Sequence, residues 1–216
     1  MVCQKGRPVK KQDRAIRTRE RLLESAGEEF DKNGYLATRL ADISARAGVT
    51  RGSLYFHFDS KADIAEALVI DKLETWIQYI PKRREEGFYG IELLMIFAHD
   101  LVVGFRDDTC SRAAMRIIKN SSHVEKEIPS PFPIWLCEVS SLLEEAKGLG
   151  QLRESVDVDK VSWVIVAGIF GIQEIGDQFE QRQHICEYLD SMWVYLLPGL
   201  GVDDPLKCIS NVIAAT

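Results

Sequence analysis

The stretch that most constrains this chain is TRLADISARAGVTRGSLYFHFDSK, residues 38–61. Leu40, Ile43 and Ala47 recur at helical spacing and give one apolar face. Gly48 stands where a helix commonly ends in a left-handed residue. Thr38 suits the N-cap of the first helix and Thr50 that of the second, which spans roughly residues 51–58. Ser60 and Lys61 open a third helix, with Asp63 placed to complete its cap. Helix, short turn containing Gly, helix is the helix-turn-helix pattern.

The second helix carries chemistry suited to DNA. In a helix-turn-helix its N-terminal residues face base edges in the major groove, and here those are Thr50, Arg51, Gly52 and Ser53. Arg51 can donate a bidentate pair to guanine. Gly52 lets the helix end approach the duplex closely. Tyr55, His57 and Lys61 are donors of the kind that grip phosphates, and Arg39 adds a cation near the backbone. Leu54, Phe56 and Phe58 are expected to form a small aromatic core behind them.

Net charge misleads until it is divided. The whole chain carries −6, which argues against nucleic acid. Residues 1–61 hold 13 Lys and Arg against 8 Asp and Glu, whereas residues 62–216 hold 14 against 25. A basic N-terminal module on an acidic body fits a chain that meets phosphates at one end. Five scattered cysteines with no C-x-x-C pair predict free thiols in a reducing cytoplasm. No apolar run is long enough for a membrane span. Neither a metal-ligand spacing nor a catalytic constellation appears, and no cofactor is expected.

In order along the chain, residues 1–12 read as a disordered basic arm and residues 13–60 as the DNA-binding domain. Residues 61–216 read as a larger helical body. A long helix runs from residue 13 or 14 to Asn33, and Gly34 ends it. The next helix runs from Ser60 to Ile80, where Pro81 stops it. An apolar helix over 88–105 and a short one over 110–120 follow. Pro129, Pro131 and Pro133 enforce a loop. Helices over 133–148, 158–181, 184–197 and 204–214 complete an all-α chain, the fourth of these stretches lying after Pro198 and Gly199. Gly168, Gly171 and Gly176 inside the long helix imply close approach by a ligand or another helix. Apolar residues on helices 158–181 and 184–197 exceed what one protomer hides: Val161, Ile165, Ile169, Ile172 and Ile175, then Leu189, Met192, Trp193 and Leu196. They predict a homodimer.

AGVTRGSLYFHFDSK resembles the signature of the TetR family of one-component repressors. EIPSPFPIW, GQLRESVDVDK, GIFGIQEIGD and MWVYLLPGL are similar to segments of the γ-butyrolactone-type autoregulator receptors of actinomycetes. Arg39 departs from the family, which usually has Thr or Ser there. The resemblance implies a dimer that binds double-stranded, pseudo-palindromic operator DNA and releases it on binding a small diffusible signal. It carries a pocket tryptophan over to Trp135 and a polar pocket position over to Lys72, which shares its helix face with Leu68 and Trp76. Met115 and Ile169 complete the ligand set. An ammonium facing the pocket would favour an acidic signal over a neutral lactone. Two alternatives stand beside this reading. One is a pseudo-receptor of the same fold that answers to an antibiotic or an intermediate, and the other is a ligand-free architectural DNA-binding protein.

Overall fold

The computed structural model describes residues 9–215, with side chains from 12 to 214. Among these residues every regular element is a helix. Packing divides the chain into two units. The first takes in residues up to Lys72 together with Thr109–Pro129, and the second holds Leu73–Asp108 and Ser130–Thr216. Chain order hides this division, because a segment from mid-chain packs with the N-terminal helices.

The first unit is built on α1 (Val9–Ala37), α2 (Leu40–Arg46), α3 (Arg51–His57), the start of α4 (Lys61–Glu85) and α6 (Thr109–Lys119). Helix α1 is already regular at Val9, so residues 9–12 are not the arm that composition suggests; residues 1–8 lie outside the described chain. Its regular course breaks at Gly34, whose φ of 76° lies in the left-handed region. Leu22, Ala26 and Phe30 are buried on one face of α1. Along α6, Gly27 of α1 meets Cys110 so closely that a Cβ would stand 2.5 Å from its Sγ. Arg112 pairs with Asp31 at 3.0 Å and ties the same two helices together.

The second unit contains the rest of α4, then α5 (Gly90–Asp107), α7 (Phe132–Gly148), α8 (Val158–Gln178), α9 (Ile185–Leu200) and α10 (Pro205–Ala215). Helix α5 is its centre, with Leu93, Leu94, Met95, Ile96, Phe97 and Ala98 all buried in succession. A helix apolar all round must be covered on most sides.

Two proline expectations fail here. Pro81 does not stop α4, and Pro198 does not stop α9; both lie inside their helices. The turn after Pro81 is anchored by its neighbours: Arg83 donates to Asp100 at 2.8 Å and Arg84 to Glu145 at 2.6 Å. Tertiary ion pairs thus outweigh the hydrogen bond that proline removes. Helix α9 ends at Gly201 instead, in a left-handed conformation with φ of 103°.

Of the glycines in α8, Gly168 and Gly176 are explained by α9. A Cβ at Gly168 would stand 2.6 Å from Met192 Sδ, and one at Gly176 2.6 Å from Ile185 Cγ2. Gly171 has nothing within 4 Å. Several residues expected at a dimer interface turn inward instead: Ile165, Ile169, Leu189 and Trp193 are buried within the protomer. Trp163, Val164, Ile175, Tyr188 and Tyr195 are the large apolar side chains left exposed on these two helices. Cys110, Cys137, Cys186 and Cys208 are free thiols.

Candidate nucleic-acid interface and ligand cavity

The reading helix is set by caps and a tight turn. Gly48, with φ of 62°, reverses the chain after α2, and Val49 N–H donates to Ser44 O at 3.0 Å. The Thr50 hydroxyl accepts from Ser53 N–H at 3.1 Å and so caps α3. It keeps its own proton as a donor. Leu54 and Phe58 are buried beneath the helix. Thr50, Arg51, Gly52 and Tyr55 are exposed, while Ser53 and His57 are half-buried. The Arg51 guanidinium lies 5.9 Å from the Tyr55 ring centroid, within cation–π range. A flat ring under the guanidinium favours one orientation of its donors.

Phe56 corrects the expected core. It is 78% exposed and stands one turn after Gly52, with the His57 ring edge-on at 5.1 Å. An apolar side chain on the reading face suits contact with a thymine methyl. Alternating aromatics in LYFHF suggested a buried cluster, but helical spacing places residue 56 opposite Leu54.

Two other expected contacts have different work. Thr38 is buried; its hydroxyl donates to Gly34 O at 2.8 Å, so it joins α2 to α1 instead of capping α2. Arg39 occupies the N-cap, and its N–H donates to Asp42 Oδ2 at 3.3 Å. Lys61 is no phosphate grip. Its Nζ donates to Tyr35 O at 2.7 Å, Leu36 O at 3.3 Å and Thr38 O at 3.1 Å. It also sits 4.3 Å from the Tyr35 ring centroid. An ammonium has three protons, and all three are engaged here. Burial lowers its pKa. Lys61 therefore caps the carbonyl end of α1, where the helix dipole favours a cation. Arg46 holds α2 against α1 through Glu29 at 2.6 Å and Glu28 at 2.5 Å.

The second unit holds a small cavity lined by Phe97, Leu101, Phe105, Trp135, Val139, Val166, Ile169 and Phe170. Its free volume is about 10 Å³, and no polar atom lines it. Trp135 and Ile169 are in the wall. Trp76 stands behind it, 5.2 Å from Trp135 and 6.2 Å from Phe105 between ring centroids. Lys72 and Met115 do not line it. Both belong to the first unit, where Met115 is buried on α6. Lys72 borders a groove with Arg19, Glu20, Glu24, Asp71 and Cys110, among carboxylates that suit an ammonium. No ammonium faces this cavity, so nothing in its wall favours an acidic ligand.

Sequence and structure comparisons give this geometry its relatives. The sequence matches the family described as bacterial regulatory proteins, tetR family, over residues 22–68. It is 28% identical over 191 residues to the A-factor receptor protein of Streptomyces griseus, covering 88% of this chain and 66%, just under two thirds, of the receptor. It is 42% identical over 182 residues to the HTH-type transcriptional regulator TtgR of Pseudomonas putida, covering 74% of this chain and 80% of that one. The fold matches CprB of Streptomyces coelicolor, solved in complex with its operator, with a TM-score of 0.81. That match has 27% identity and covers 93% of this chain and 97% of CprB. A recognition helix with its polar N-terminus exposed, on a helical body of this architecture, places the chain in the TetR family of bacterial transcriptional regulators.

Proposed function

We propose that this protein is a cytoplasmic, ligand-responsive repressor that binds a pseudo-palindromic operator as a homodimer and releases it when a small diffusible signal binds. The signal class is that of γ-butyrolactones, furans or butenolides. The likeness to the A-factor receptor supports this class, and so does the wholly apolar cavity beside Trp135. No helix among the described residues is long and apolar enough to cross a membrane.

The observation that carries the DNA reading is the exposed row of Thr50, Arg51, Gly52, Tyr55 and Phe56 on α3. The dimer is supported by exposed apolar side chains on α8 and α9, among them Tyr195 at 85% exposure. Gly171, open on the same helix as Val164 and Ile175, suits close approach by a second copy. Twofold pairing would present two α3 helices to half-sites about one DNA turn, or a multiple of it, apart. Release requires a ligand that favours the non-binding arrangement, since equal affinity for both shifts nothing. Helix α4 is one continuous helix that begins in the first unit and carries Trp76 in the second. A ligand that opens the cavity behind Trp135 would move Trp76, and with it α4.

The test is operator selection followed by footprinting. Arg51→Ala is expected to relax preference at one base position per half-site by about 1–3 kcal/mol. Uniform weakening over all sequences would mean that Arg51 holds a phosphate and that the helix is turned differently. A monomeric mass at micromolar concentration would remove the dimer.

A further inference from the structure

The apolar cavity does not account for one buried side chain on its own helix face. Gln173 is 5% exposed, and its Oε1 is buried with no hydrogen-bond partner among the described residues. Folded chains keep few such atoms, because an unpaired buried acceptor loses water and gains nothing. Two other buried atoms share this state, but each lies near a charged or ionisable neighbour. Asp31 Oδ1 is 3.6 Å from Arg116 Nε, and His99 Nδ1 is 3.7 Å from Asp100 Oδ1. Gln173 stands on the face of α8 that builds the cavity, one turn beyond Ile169 and Phe170 of its wall.

That placement follows from helical geometry. An α-helix turns about 100° per residue, so seven residues fall roughly 20° short of two turns. Gln173 is seven residues after Val166, four after Ile169 and three after Phe170, the three α8 residues of the cavity wall. Its side chain leaves the helix between their directions. Water is a poor occupant of the adjoining space. A buried water needs two to four polar partners, and the wall supplies none.

We propose that Gln173 reads the polar end of the ligand, and that the site takes a largely apolar molecule bearing one hydroxyl. This rests on reading the cavity as the ligand site. The hydroxyl donates to Gln173 Oε1 while the apolar remainder opens the space between Trp135, Phe105 and Phe170. A hydroxyl both donates and accepts, so it suits either orientation of the amide. A carboxylate suits neither the site nor the acceptor: ionised, it has no proton to give, and its charge would face apolar walls.

The experiment uses the full-length protein with two probes that differ by one hydroxyl, para-butylphenol and butylbenzene. Binding is read by tryptophan fluorescence, and ligand-free stability by thermal melting. The phenol is expected to bind about tenfold more tightly than the hydrocarbon. Gln173→Leu should abolish that preference while still binding the hydrocarbon, and should raise the ligand-free melting temperature. Gln173→Met repeats both measurements with an unbranched side chain. Equal affinity of wild type for the two probes overturns the role of Gln173 and leaves the cavity as the ligand site. A fall in melting temperature in both variants also overturns it, by showing a structural partner. Failure of both probes to bind removes the cavity reading and this proposal together.

Discussion

Each of the two units of this chain is held together internally by a different kind of force. The first is fastened by directional polar links around the end of α1: Lys61 on three carbonyls, Thr38 on Gly34 O, Arg112 on Asp31 and Arg46 on Glu29. The second is an apolar core with an aromatic cluster of Trp76, Phe105, Phe132, Trp135 and Phe170, and the ion pairs that join its helices α5 and α7 to α4 lie at the end of α4. Hydrogen bonds weaken steeply with angle, so the links of the first unit permit few arrangements. Apolar burial is non-directional and depends on area, so the second unit can repack at smaller cost. A surface that reads base edges needs the former, and a cavity that opens for a signal, as proposed above, would need the latter.

The sharpest way to break this contrast is to cut the aromatic cluster. Trp135→Ala removes a side chain that is 5% exposed and touches Trp76 and Phe132. The expected loss is about 3–5 kcal/mol in chemical denaturation, the usual range for a buried Trp or Phe truncated to Ala. A loss below about 1 kcal/mol would mean that the second unit is already loose around the cavity.

Lys61→Met tests the first unit with a smaller effect. The stem is kept and the ammonium is lost, leaving three carbonyls without their donor. About 1–3 kcal/mol of stability should go. Operator affinity of the folded variant should keep the wild-type salt dependence. A slope flatter by about one unit would put the ammonium on a phosphate and return Lys61 to the interface.

These two residues also show what the sequence made legible. Trp135 could be placed because resemblance to related receptors supplied a role, and its burial agrees with a cavity wall. The caps of α3, the turn at Gly48 and the helix order were legible because they depend on local chemistry alone. Lys61 was misread because its partners are the carbonyls of residues 35, 36 and 38, and no side-chain pattern announces a backbone acceptor. Phe56 looks like core by hydrophobicity, but helical phase turns it away from Leu54 and into solvent. Pro81 and Pro198 read as stops in the sequence because proline removes a donor, whereas the ion pairs that anchor α4 past Pro81 come from α5 and α7. Gln173 carried no signal in the sequence: an unpaired oxygen is visible when everything around it has been placed.

The smallest expected effect concerns the segment after α6, whose exposed Glu125 and Lys126 strap it to the rest of the first unit. Tyr35 donates to Glu125 at 2.5 Å, and Lys126 pairs with Asp63 at 2.9 Å and Glu66 at 2.5 Å. The Tyr35 hydroxyl holds the Glu125 carboxyl below its ordinary 4.5, and Lys126 and Ser60 hold Asp63 below its ordinary 3.8. Depressed carboxyl pKa values stabilise the fold above the unfolded values, and that contribution is lost as pH falls through the folded ones. The Lys126 ammonium is raised to about 12, so its share is present below the ordinary 10.5 and is lost as pH rises through 12. Between these limits the strap should be insensitive to pH. Surface pairs contribute little each, so the expected signature is comparative. Glu125→Gln should melt slightly below wild type at pH 7, and the two should converge as pH falls below the ordinary 4.5 and Glu125 protonates. Parallel curves across the whole range would show that the strap adds nothing, and the first unit's order would then rest on Lys61 and the α1–α6 contacts.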